Sequence, residues 1–287
     1  MTLEVAGMSA VGLAALAAGL VLARPRFQAA SGAGRILVLG PIAEAIALAA
    51  FATEHFTAAR DLEPLVPHWL PWHLFWVYFV GVCLLAAAVS FLSWRCVRWS
   101  AALLALLFFI IVATLDLPSL PAQIHQRFFW ILTLRETCFA SGALVLSGST
   151  CPPASPARAA LVRIGRAIVA LVMIFYAIQH FLHPHHVPGV PLEKLTPAWV
   201  PAPVLLAWLV GLTLLLGGLG LLLRPTVRLA AAAAGTVLLL VTVFFYVPIL
   251  VSEFHSAPVE GLNYVYDTLL FAATVLLAGF APDRPVV

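Results

Sequence analysis

Nine long apolar stretches, separated by short polar connections, make up almost the whole chain: residues 5–22, 36–56, 72–93, 100–117, 128–148, 160–181, 204–223, 227–250 and 262–280. Each has the length, about 17–25 residues, that carries a helix across the hydrocarbon core of a bilayer. None alternates apolar and polar residues as a strand would, and in lipid only helices and closed barrels satisfy their own backbone. The predicted fold is therefore all-α and transmembrane, a nine-span helical bundle.

Composition agrees. Hydrophobic residues make up 63% of the 287 and charged residues 9%, where a soluble domain carries about 25% charged residues. The net charge of +3 does not imply a nucleic acid, because the arginines sit in short connections between apolar runs. The first run is followed by Arg24 and Arg26 rather than preceded by basic residues, so it reads as a retained span, not a cleaved signal. Cys83, Cys96, Cys138 and Cys151 have no C-x-x-C spacing, which argues against dithiol chemistry.

The distribution of charge predicts an orientation. Arg24, Arg26, Arg35, Arg95, Arg98, Arg158, Arg163, Arg166, Arg224 and Arg228 lie at the odd-numbered connections, whereas Glu63, Glu193, Glu253 and Glu260 lie at the even ones. By the excess of basic residues on the cytoplasmic side, the N-terminus is expected outside and the C-terminus inside a bacterial inner membrane. All nine histidines then fall on the extracytoplasmic side.

One pattern occurs twice. Glu54-His55-Phe56, Pro67-His68-Trp69-Leu70-Pro71 and Gly81 are echoed by Gln179-His180-Phe181, Pro197-Ala198-Trp199-Val200-Pro201 and Gly211. A shift of 130 positions also matches Val97-Arg98 with Val227-Arg228, Pro118 with Pro248 and His125 with His255. One insertion later Glu136-Thr137 falls on Asp267-Thr268; upstream, a shift of 125 pairs His55 with His180. The chain divides accordingly into an N-terminal helix and loop (1–35) and two four-helix units (36–152 and 153–287). Four spans per unit is an even number, so the repeat is parallel rather than inverted.

These residues resemble the DoxX-like family of bacterial membrane proteins, whose four-helix units carry a histidine near the outer end of the first helix, a proline-rich start to the second and a glycine within it. Where family members have a basic residue at the start of the fourth helix, this chain has Arg135-Glu136 and Tyr266-Asp267. The resemblance implies a membrane component of a quinone-linked sulfur or oxidative-stress system.

The candidate site follows from the repeat. In each half the first-helix histidine, the loop histidine and the fourth-helix acid are expected to gather at one level: Glu54, His55, His125 and Glu136 in one, Gln179, His180, His255 and Asp267 in the other. Acids are costly inside a membrane and tend to face protein or water. A His/carboxylate pair suits proton exchange with a quinone head, and the partly protonated imidazole suits the negative end of its helix. On spacing alone, tying helix ends together by hydrogen bonds is the stronger reading. Glu44 reads as one half of a structural pair with Arg163 or another arginine at that end. His183, His185 and His186, with His180, look like a metal-binding tract, yet adjacent imidazoles converge on a metal only in a sharply bent loop, and a solvated loop is favoured. No metal is assigned; quinone is the one cofactor considered. Haem fits poorly, since its ligands sit inside facing spans. The leading functional expectation is a binding or accessory subunit of a redox system, with an outward polar pocket for a lipophilic small molecule and a redox partner protein. The alternatives are a transporter or lipid-handling protein, and an assembly factor without a substrate.

Overall fold

The computed structural model describes residues 2–190 and 192–280. Among them nine helices are long and apolar enough to cross a membrane: α1 (Leu3–Leu22), α2 (Ala33–Thr57), α3 (His73–Ser93), α4 (Val97–Gln123), α5 (Arg127–Ser149), α6 (Pro156–Leu182), α7 (Pro203–Leu222), α8 (Val227–Glu253) and α9 (Pro258–Gly279). The described chain has no strand, only an isolated bridge between His186 and Leu195. It is a multi-pass, all-α membrane protein.

Eight of the helices form a ring. Each of α2 to α9 packs against the next, α9 closes on α2, and α5 and α9 also touch across the middle. The last helix of each half therefore lies against the first helix of the other half, α5 on α6 and α9 on α2. Lipid is as apolar as leucine, so helices associate through close packing and polar contacts rather than hydrophobic burial. This explains the alanine-rich α2, which buries Gly40, Ala43, Ala45, Ala47, Ala49, Ala50 and Ala52 between its neighbours. Helix α1 packs outside the ring against α2, α3 and α9, and accepts a hydrogen bond from Tyr266 Oη at the Met8 carbonyl (3.0 Å).

The two halves repeat in fine detail. The third helix of each unit contains a single π-helical turn, Val112–Asp116 in α4 and Thr242–Tyr246 in α8. Pro118 and Pro248 follow each turn by two residues. A proline has no N–H and its ring pushes on the carbonyl one turn earlier, and the wider turn absorbs that conflict. Trp72 and Ala202, the residues before α3 and α7, both adopt a left-handed conformation (φ 59° and 49°).

The repeated His-Phe and glycine belong together. A Cβ on Gly81 would stand 2.8 Å from His55 Cβ and 3.1 Å from a Phe56 ring carbon. On Gly211 it would stand 2.9 Å from His180 Cβ and 3.3 Å from the Phe181 ring. The motif is a helix-crossing device: the glycine lets α3 or α7 lie against the histidine-bearing turn of α2 or α6. Trp69, Trp72 and Trp99 are largely exposed near helix ends, as interfacial tryptophans are.

The connections at the histidine-bearing end differ between halves. The one between α6 and α7 turns into the bundle and buries Val187, Val190 and Leu192. At its apex Gly189 (φ +102°) reaches Thr268 of α9 and Leu238 and Val241 of α8; a Cβ there would lie 3.4 Å from the Thr268 methyl. Lys194 fastens the returning segment through ion pairs to Glu253 (2.9 Å) and Glu260 (3.1 Å).

Candidate functional site

The crosswise packing of α5 and α9 makes one composite site out of the two expected ones. Arg135 Nη1 donates to Asp267 Oδ2 across the centre at 2.6 Å, and Glu136 Oε1 lies 3.6 Å from Arg135 Nη2. At a helical rise of about 1.5 Å per residue, Arg135 and Asp267 lie about 12–14 Å from the histidine-end termini of their helices, close to the middle of a core about 30 Å thick. Asp116, carried by the π turn of α4, stands beside Thr133, Arg135 and Glu136. The first half thus supplies the cation and two carboxylates, and the second supplies the paired carboxylate.

Above this cluster a second link joins the halves. Asn263 Nδ2 of α9 donates to Glu54 Oε1 of α2 at 3.0 Å. Beside it, the buried Tyr176 of α6 donates to the Ile131 carbonyl of α5 at 2.7 Å and its ring lies 5.4 Å from that of Phe271.

Several atoms around the ion pair are buried without a hydrogen-bond partner among the described residues: Asp116 Oδ2, Thr133 Oγ1, Arg135 Nε, Glu136 Oε2 and Asn263 Oδ1. Buried polar groups are nearly always satisfied, by protein or by ordered water, so such a concentration marks a place built to hold water or a polar ligand. A cleft of about 320 Å³, lined by Leu192, Val259, Glu260, Asn263, Tyr264 and Asp267, runs along α9 to this point. Glu260 is exposed at its mouth and Asp267 lies two turns deeper.

The expected grouping is corrected in four respects. His125 and His255 are exposed in the connections and reach neither Glu136 nor Asp267, because each lies beyond the N-terminus of the helix whose acid points to the centre. His55 and His180 are also not partners of these acids. Each donates from Nδ1 to the carbonyl one turn earlier, Phe51 (2.8 Å) and Tyr176 (2.6 Å). His180 Nε2 accepts from the Gly189 N–H at 2.9 Å, which fixes a neutral ring rather than the expected partly charged one. Glu44 makes no pair with Arg163: both its oxygens are buried without a partner among the described residues, while Arg163 Nε donates to the Ala159 carbonyl.

Of the remaining candidates, Gln179 is half-buried, with its Oε1 unpartnered among the described residues. His183 and His186 meet ring to ring at 5.8 Å. Among the described residues no three His, Cys, Asp or Glu side chains converge as a metal site requires. The half-exposed His186 has its pKa lowered, first by partial burial and then by the charge of Arg127.

Three members of the cluster, Asp116, Arg135 and Asn263, are absent from the expected site. Arg135 was visible as a basic residue one position before Glu136, and a lone arginine amid an apolar run is itself a functional signal. Asn263 gave no such signal, since its match in the first half is Leu132.

A family model described as Domain of unknown function (DUF8561) matches residues 44–125, which run from α2 to the connection after α4. No curated protein and no solved structure matches the chain.

Proposed function

We propose that this protein binds a lipophilic small molecule with a hydrogen-bonding head, of the quinone type, as the membrane component of a redox system. The observation that carries this reading is the cleft that ends on Asp267 and Asn263, beside an ion pair ringed by unpartnered buried polar atoms. A ligand site is typically an apolar concavity with a few placed polar groups. Leu192, Val259 and Tyr264 supply the apolar wall here, and Asn263 and Asp267 the polar floor.

Each chemical role has a residue. Asn263 donates to Glu54 from Nδ2 and offers its Oδ1 as an acceptor to a hydroxyl of the head. Asp267 is a carboxyl group within the membrane placed to exchange a proton with the head, while the electrons pass to or from a redox partner protein. Arg135 keeps Asp267 oriented. The DoxX-like pattern of histidine, proline-rich turn and glycine points to the same class of system, as does the expected placement of the cleft mouth on the extracytoplasmic face of a bacterial inner membrane.

The test is binding of decylubiquinone to protein in nanodiscs, followed by quenching of tryptophan fluorescence. Saturable quenching that weakens in Asn263→Leu supports the reading. Quenching that rises linearly with quinone in the bilayer and ignores Asn263→Leu refutes it.

A further inference from the structure

The repeat places equivalent side chains around the same position in each half, and in the second half the chain fills that position itself. In the second half the Pro188-Gly189 peptide is the filling. Tyr246 Oη donates to the Pro188 carbonyl at 2.7 Å, the Gly189 N–H donates to His180 Nε2, and Leu238, Val241 and Thr268 close around Gly189. His180, Leu238, Val241, Tyr246 and Thr268 are all buried as a result.

Their counterparts in the first half are His55, Phe108, Ile111, Asp116 and Thr137, and every one is half-exposed. The shorter connection between α2 and α3 makes no hydrogen bond to His55 or Asp116 among the described residues. The frame around this position is nonetheless built as in the second half. Gly81 seats His55 as Gly211 seats His180, the same backbone bond holds each imidazole, and the same π turn carries Asp116 and Tyr246.

What differs is polarity. Tyr246 is a donor, and Asp116 in its place is an acceptor whose buried Oδ2 makes no well-aligned hydrogen bond among the described residues, with Thr133 and Glu136 beside it. His55 donates from Nδ1, which leaves Nε2 as a second acceptor. A peptide like Pro188-Gly189 would set its carbonyl against the Asp116 carboxylate, two acceptors face to face. The occupant that fits brings O–H donors to both groups and an apolar body for Phe108, Ile111 and Leu115.

We propose that this groove between α2, α4 and α5 binds a hydroxyl-headed lipophile, held by Asp116 Oδ2 and His55 Nε2. This groove and the cleft along α9 meet the same central cluster, since Asp116 is one of the groups around the Arg135–Asp267 pair, and the inference rests on the proposed function to that extent.

A photoactivatable analogue of 1-oleoylglycerol, cross-linked to the full-length protein in nanodiscs and mapped by mass spectrometry, tests this. Labelling is expected on α4 and α5 near residues 108–119 and not on the matching stretch of α8. Unlabelled 1-oleoylglycerol should compete. Methyl oleate, with the same chain and no donor, should not. Asp116→Leu should weaken labelling about tenfold or more, as expected for losing a hydrogen bond to a charged group, and Asp116→Asn, which keeps an acceptor, should restore most of it. Competition by a short-chain hydroquinone equal to or stronger than that by 1-oleoylglycerol would assign the site to quinols, and the reverse to glycerol lipids; either supports it. Equal competition by methyl oleate, or equal labelling of α8, would overturn it as ordinary bilayer contact. Capture of a peptide segment with exclusion of the lipid probe would overturn it too. Asn263→Leu should leave this labelling unchanged, so failure of the cleft reading and failure of this one are distinguishable.

Discussion

Replacing Asp267 by leucine strands the Arg135 guanidinium in the middle of the bundle. Arg135 then keeps Glu136, at 3.6 Å in place of a 2.6 Å contact, and the neighbouring Asp116, and arginine cannot shed its proton. Removing one member of a buried pair costs about 3–5 kcal/mol, because the other charge is left uncompensated. The retained Glu136 places Asp267→Leu near 3 kcal/mol, the lower end of that range. The reverse change is milder. In Arg135→Leu the stranded groups are acids, which escape the penalty by taking up protons, and a loss of about 1–2 kcal/mol is expected. The double variant leaves no stranded cation and should recover at least half of the Asp267→Leu loss. The buried Cys138 and Cys151 are natural reporters: with the exposed Cys96 replaced by serine, a thiol-reactive dye follows unfolding in mixed micelles titrated with sodium dodecyl sulfate. Equal losses in the two single variants, or a double variant as unstable as Asp267→Leu alone, would refute a dominant Arg135–Asp267 pair.

Three further outcomes follow from particular contacts. Gly211→Val should cost about 1–3 kcal/mol through overpacking against His180 and Phe181, read as a lower unfolding midpoint; an unchanged midpoint would deny that the glycine seats α7 on α6. Burial alone lowers the pKa of the Lys194 ammonium, but hydrogen bonds and charges of Glu253 and Glu260 outweigh it, and the net shift is upward. A raised pKa in the fold stabilises fully below the ordinary lysine value of about 10.4 and is lost as pH rises through the higher folded value. The stability difference between the wild type and Lys194→Met, about 1 kcal/mol, should therefore be constant from neutral pH to about pH 10 and shrink above it; a difference that vanishes below pH 9 would contradict the clamp. Glu44→Leu should stabilise by about 1–3 kcal/mol, since it removes a buried carboxyl without a partner, and a lower midpoint would show that a partner exists.

The spans were legible because hydropathy over about 19 residues reports lipid exposure directly. Their ends moved outward by a few residues where capping residues and prolines, such as Pro156 and Pro258, extend a helix beyond its apolar run. The repeat was legible too, but its physical meaning was not. His-Phe and glycine stand 26 and 31 positions apart in the two halves, and only the fold brings them into one crossing. The same limit hid the centre of the site. Nothing in either half says that its last helix packs on the first helix of the other, so Glu136 and Asp267 read as two sites and Arg135 as a flanking residue. The loop between α6 and α7 carried a usable signal in Val187-Pro188-Gly189-Val190, an apolar tetrad with a glycine at its turn. Its four histidine neighbours suggested solvent, whereas the structure buries the valines and leaves His183 and His185 exposed.

The most direct test of a ligand-binding centre is organic extraction and mass spectrometry of the protein purified in its native lipids, without detergent. A quinone-type lipophile should be retained near one per protein, enriched over the bulk membrane, and lost from Asn263→Leu, a variant that stays folded with a lower unfolding midpoint because Glu54 loses its donor. A lipid extract indistinguishable from the surrounding membrane, in wild type and variant alike, would contradict a ligand-binding centre.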